Sequence, residues 1–185
     1  RTFQLLRLFS EMTVLENVMV GNHCKTSYGI VESLLGTSRV RQADQQMKEE
    51  MLDLLEFIGL ANFADIPAGE LSGGQRRLLA LGRAIAMKPT LLLLDEPGAG
   101  LSPVNVDKLM ETILALKERY KLTVVVVEHI LKVVMSTCET ISVLDHGQKI
   151  AEGPPEMIKN DHAVIEAYLG RELPDKEIRN AIRGQ

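Results

Sequence analysis

Two short stretches of this chain have the residue types to handle a phosphate group. The first is Ser72-Gly73-Gly74, inside Leu71-Ser72-Gly73-Gly74-Gln75 and just ahead of a helical pattern. Backbone N–H groups at such a helix start, aligned with the helix dipole, point at an anion with no side chain in the way. Ser72 adds a hydroxyl donor. A glycine turn closed by a serine cap would use the same residues. The second stretch is Asp95-Glu96, which follows Leu91-Leu92-Leu93-Leu94. A carboxylate at the end of a buried strand is costly unless it meets a cation or strong donors. In phosphate chemistry that cation is Mg²⁺. Glu96, one residue on, can take a proton from water as a general base. The plainer reading of the pair is a cap on the next turn. His129 follows Val124-Val125-Val126-Val127-Glu128, again at a strand's end, where ligand-facing residues collect in parallel α/β sheets. A lone histidine is more often structural, and His23, His146 and His162 lie in loop or turn contexts with no role assigned. A nucleotide P-loop requires Gly-x-x-x-x-Gly-Lys-Ser/Thr, and these 185 residues contain no Gly-Lys dipeptide.

The elements that must position these groups are legible in outline. Thr13-Val14-Leu15-Glu16 reads as a capping box opening a short helix to about Val20. Gly21 to Gly36 reads as loop, with one turn near Glu32. Met47, Met51, Leu54, Leu55 and Ile58 recur at helical spacing, and Gly59 supplies a stop. This stripe is a core face. Asn62 to Glu70 is connector, and Gln75 to Met87 a closely packed helix ended by Lys88-Pro89. Leu91 to Leu94 and Thr123 to Val127 lack polar alternation, so both are expected to be strands covered on both faces of a parallel sheet. Ser102-Pro103 starts a helix to about Tyr120, and another short helix follows the second strand. Thr140 to Leu144, a turn at Asp145-His146-Gly147 and a return over Lys149 to Ala151 form a hairpin. Pro154-Pro155 and the spacing of Met157, Ile158, Ile165 and Leu169 predict two small helices. Strands alternating with helices make an α/β domain.

Bulk properties exclude several classes. The length of 185 residues suits one domain with a small subdomain and a real core. The formal net charge of −4 offers no basic field, so no nucleic-acid partner is expected. Cys24 and Cys138 have neither metal-ligand nor redox spacing, which suits a reducing cytosol. No apolar run approaches the ~20 residues needed to span a bilayer. The start at Arg1-Thr2-Phe3-Gln4, without an initiating Met, is that of a chain cut from something longer.

Together the motifs resemble the ATP-binding subunit of ABC transporters, over nearly the whole chain. Leu71 to Gln75 resembles the signature loop, and Leu91 to Pro97 the Walker B strand with its acid Asp95 and catalytic glutamate Glu96. His129 resembles the switch histidine and Gln4 the Q-loop glutamine. The resemblance implies ATP and Mg²⁺ as cofactors. Gln4 and Asp95 would serve the metal, Gln4 also the lytic water, and His129 the γ-phosphate. Ser72, Gly73, Gly74 and Gln75 would meet the nucleotide held by an opposite subunit. The implied partners are a second ATPase subunit, identical or different, and transmembrane permease subunits. The implied location is the cytoplasmic face of the inner (plasma) membrane, as a peripheral protein. Arg1-Thr2-Phe3-Gln4, Arg7-Leu8-Phe9, Met12 to Val18, Ala167-Tyr168-Leu169-Gly170 and the lengthened loop between Gly21 and Arg39 are similar to the branched-chain amino acid importers. Two positions depart from the wider pattern. The D-loop reads Ala99-Gly100-Leu101-Ser102, with serine for aspartate, and Ile130 follows the histidine where aspartate is commoner.

The resemblance therefore implies an α/β, P-loop NTPase-like ABC ATPase domain, incomplete at its N-terminus, with a helical signature-motif subdomain. Its parts would be a helical subdomain over about 10–88, Walker B and switch-histidine strands over about 89–153, and C-terminal helices and tail over about 154–185. The leading expectation is an ATPase subunit of a branched-chain amino acid importer, inactive as this chain alone for want of the P-loop. A contrasting one is a non-catalytic fragment that completes a P-loop-bearing partner's site in trans. A DNA-repair or chromosome-type ATPase would bring long heptads or zinc-binding cysteines, and neither occurs. Without the other strands of its sheet, the chain is also expected to be poorly soluble or to associate.

Overall fold

The computed structural model describes residues 8–22 and 38–169 and divides the chain into two compact units, 1–127 and 128–185. Gln4 and Glu32 lie outside the described residues, as does most of the Gly21–Gly36 loop.

The first unit begins with helix α1, Val14–Asn22. Its capping box forms as expected: Glu16 N donates to Thr13 Oγ1 at 3.1 Å, and Thr13 N donates to Glu16 Oε2 at 2.8 Å. Helix α2, Ser38–Phe57, starts well before the apolar stripe, and its first two turns are mostly polar and exposed around a buried Val40. It stops at Gly59, whose φ of 75° is readily open only to glycine. Leu60 N then donates to Leu55 O at 2.7 Å and Gly59 N to Glu56 O at 3.0 Å. That pair of bonds satisfies the last carbonyls and buries Leu55 with Leu60.

Two single 3₁₀ turns, Ala61–Phe63 and Ala68–Glu70, lead into helix α3, Gly73–Ala86. α1 and α2 both pack against α3. The α1–α3 approach is backbone to backbone: a Cβ at Gly21 would fall on the Arg83 carbonyl oxygen. Strand β1, Leu91–Asp95, is followed by helix α4, Pro103–Tyr120, and strand β2, Thr123–Val127. Ser102 is the N-cap residue of α4, as its place before Pro103 predicts, but its side chain makes no cap hydrogen bond. α4 turns Val106, Leu109, Met110, Ile113 and Leu116 inward at helical spacing.

β1 and β2 pair in parallel, Leu91 opposite Thr123 through Asp95 opposite Val127. The expectation that both strands are covered on both faces does not hold. Leu92 and Leu94 are buried, but Leu91, Leu93, Val125 and Val127 are exposed. Parallel register puts these four on one side, since side chains alternate between faces along each strand. A run of apolar residues suits a doubly covered strand; among the described residues, nothing covers this second face.

In the second unit, helix α5 is Leu131–Thr137, and strands β3, Ile141–Asp145, and β4, Gln148–Gly153, form an antiparallel hairpin. His146 and Gly147 both have positive φ, 45° and 79°, as a two-residue hairpin turn demands. Helices α6, Pro155–Lys159, and α7, His162–Leu169, follow as expected. Ile141, Ile158 and Val164 form the unit's buried core.

Candidate functional site

The signature turn is built by a second capping box. Ser72 N donates to Gln75 Oε1 at 2.9 Å, and Gln75 N donates to Ser72 Oγ at 3.4 Å. The serine cap of the plainer reading therefore forms. Ser72 Oγ accepts from the helix and keeps its own proton to donate, and the cap leaves the N–H groups of Gly73 and Gly74 unused. A Cβ on either glycine would meet no atom within 4 Å, and neither has positive φ. Among the described residues nothing requires glycine there. Arg76 ties the start of α3 to the segment before it, Nε donating to Leu71 O at 2.9 Å and Nη2 to Gly69 O at 2.8 Å.

The acidic pair lies where β1 ends. Asp95 is the last strand residue, half-buried rather than buried, because it shares the open face with Leu91 and Leu93. Glu96 turns off the strand with φ 44°, a left-handed conformation that is uncommon with a side chain, and its N–H donates to Val127 O at 2.8 Å. Backbone of this kind gathers at functional sites. Among the described residues no three His, Cys, Asp or Glu side chains group to hold a metal by themselves. A single strand-end carboxylate nevertheless fits Mg²⁺, which commonly takes one or two carboxylates and completes its shell with phosphate oxygens and water.

The structure brings the signature turn and the acidic pair together through a residue to which sequence reasoning gave no role. Arg77 Nη1 donates to Pro97 O and Ala99 O, both at 2.6 Å, in the turn directly after Glu96. His129 belongs to the second unit, where its side chain is exposed. Its backbone N–H donates to Glu128 Oε2 at 3.2 Å, and its Nδ1 lies 3.9 Å from the same oxygen. The Glu128 side chain is fully buried. It too was missed, although its place beside His129 was a signal. Asn17 is a third unrecognised residue. It is fully buried and clamps the turn before α1, accepting from Phe9 N at 2.9 Å and donating to the carbonyls of Phe9, Met12 and Thr13. Phe9 and Met12 stay exposed on that turn.

A parallel strand ending in Asp-Glu, tied to a Ser-Gly-Gly helix start, defines an ATP-binding cassette. The chain belongs to the ABC transporter family, whose profile matches residues 1–99. A narrower profile, the branched-chain amino acid ATP-binding cassette transporter, matches residues 148–173. Among individual proteins, the chain is 39% identical over 170 residues to the high-affinity branched-chain amino acid transport ATP-binding protein BraF of Pseudomonas aeruginosa, an overlap of 92% of this chain and 67% of that one. A solved nucleotide-free ATP-binding cassette from an ABC transporter is 35% identical with a TM-score of 0.71, over 91% of this chain and 67% of its own. A dimeric bacterial ABC transporter cassette is 29% identical with a TM-score of 0.64, over 83% of this chain and 61% of its own. The chain thus spans about two thirds of the length of these relatives.

Proposed function

We propose that this chain is the signature-and-Walker-B portion of an ATPase subunit that energises a branched-chain amino acid importer. One observation carries the reading. Gly73 and Gly74 stand at an open helix start where, among the described residues, neither packing nor φ calls for glycine, which supports a close-approaching ligand as the reason for them. The name of the Pseudomonas relative supports the cargo, and the dimeric cassette supports a two-subunit arrangement.

In this reading Ser72 Oγ and the N–H groups of Gly73 and Gly74 donate to the γ-phosphate of ATP carried by a second subunit. Gln75 holds that turn through the bond from Ser72 N. Glu96 takes the proton of the attacking water as general base. His129 donates to the γ-phosphate, and Gln4 orients the water and senses the permease. Asp95 and Gln4 would hold Mg²⁺, which supplies neutralising charge to the phosphates when bound. The protein would sit at the cytoplasmic face of the membrane against transmembrane permease subunits. Because the 185 residues hold no P-loop, they should bind Mg-ATP weakly by themselves.

The test begins with the DNA immediately upstream of the Arg1 codon, followed by expression of the complete reading frame. The complete protein should hydrolyse ATP. Glu96→Gln should cut turnover by about 10²-fold or more, the scale of general-base catalysis, while sparing ATP-driven dimerisation. Undiminished turnover removes Glu96 from the base role, and a complete protein that neither binds nor hydrolyses ATP refutes the reading. A frame without a P-loop would favour the contrasting role, completion of a partner's site in trans.

A further inference from the structure

Arg77 makes a connection that the ATPase reading leaves unused. It lies about one helical turn past Gly73 in α3, half-buried, and its Nη1 reaches two carbonyl oxygens of a different element. Those oxygens, on Pro97 and Ala99, flank Gly98 in the turn that leaves β1 after Glu96. The same turn is closed by Ala99 N donating to Glu96 O at 3.1 Å and Leu101 N donating to Gly98 O at 3.1 Å. Glu96 sits at its mouth with φ 44°. That conformation is uncommon for a residue with a Cβ, so the bonds around Glu96 matter to it. The Val127 carbonyl fixes the Glu96 N–H, the Ala99 N–H fixes the Glu96 carbonyl, and Arg77 fixes the turn that carries Ala99.

We propose that Arg77 is a positioning residue for Glu96, holding the general base in register with the signature turn on its own helix; this rests on the ATPase reading above. The guanidinium suits the task because it is planar, permanently charged and rich in donors, so one group can span two carbonyls. In a dimer that shares nucleotide across subunits, Ser72 and Glu96 of one chain serve different ATP molecules. Arg77 then joins the two sites inside each subunit. Its loss loosens the base without removing any group that contacts nucleotide, so turnover falls and ATP affinity is largely kept.

The experiment uses the complete protein with Arg77→Met and Arg77→Lys, reading kcat and KM for ATP per folded molecule alongside hydrogen exchange at the Ala99 amide. Arg77→Met should lower kcat about tenfold or more with KM within about threefold, the split expected for an interaction that matters chiefly in the transition state. Exchange at Ala99 should quicken. Arg77→Lys keeps a charged multi-proton donor on a shorter, non-planar side chain, so it should recover part of both; if Arg77→Met does not fold, Arg77→Lys still gives the split. A kcat within about twofold of wild type in Arg77→Met, a rise confined to KM, or unchanged Ala99 exchange would overturn the proposal. Should the wild type hydrolyse nothing, the ATPase reading fails, and Ala99 exchange still decides whether Arg77 holds the turn.

Discussion

Leu93 and Val125 are register partners on the open side of the β1–β2 pair, 43% and 48% exposed, with Leu91 and Val127 extending the same apolar strip. An uncovered apolar sheet face is a site of association. The 185-residue chain should therefore run as dimers or larger species in light scattering, and Leu93→Thr with Val125→Thr should shift it toward monomer. A wild-type chain that is monomeric and melts cooperatively would show that the strip is harmless.

Two glycine substitutions should part company. Gly21→Ala drives a methyl onto the Arg83 carbonyl and should cost about 1–3 kcal/mol, because a backbone atom cannot step aside cheaply. Gly74→Ala meets open space inside a helix and should stabilise by up to about 1 kcal/mol. Yet Gly74→Ala should weaken nucleotide-driven dimerisation of the complete protein. Urea unfolding and sedimentation measure the two effects separately; equal stability losses would mean the Gly74 space is filled after all.

Asn17→Ala removes the amide that serves four backbone groups and leaves them without it. Phe9 N is then left without its acceptor, whereas the Phe9, Met12 and Thr13 carbonyls keep the N–H donors of Met12, Ala68 and Asn17, so the loss should be about 1–3 kcal/mol in denaturant unfolding. A cost below about 1 kcal/mol would mean that water replaces the amide.

The Glu152 carboxyl is held below its ordinary pKa by hydrogen bonds from Lys149 Nζ at 2.6 Å and Ser142 Oγ at 2.8 Å. A depressed folded-state pKa contributes stability above the ordinary carboxylate value, and that contribution is lost as pH falls through the lowered one. Lys149→Met and Ser142→Ala should each raise the Glu152 pKa, Lys149→Met by more, in a carboxyl-carbon NMR titration. Curves that coincide with wild type would place the shift elsewhere.

What sequence could show here depended on the range of the interaction. The caps at Thr13–Glu16, the stop at Gly59 and the turn at His146-Gly147 are local chemistry, decided by residues within one turn of one another, and each appears as expected. Whether a strand's second face is covered depends on what lies against it, so Leu91 to Leu94 and Val124 to Val127 could not reveal their open side. The Arg77 link was hidden for a related reason. Its acceptors are main-chain oxygens 20 and 22 residues away, and carbonyls carry no sequence signature. Asn17 likewise bonds only backbone.

At Gly21 the first helix rests directly on the main chain of α3, with no side chain between them to act as a cushion. Repacking side chains can absorb a displacement of an ångström; abutting backbones cannot. A displacement of α1 at Gly21 would therefore press straight on the α3 main chain at Arg83, with no rotamer change available to take it up.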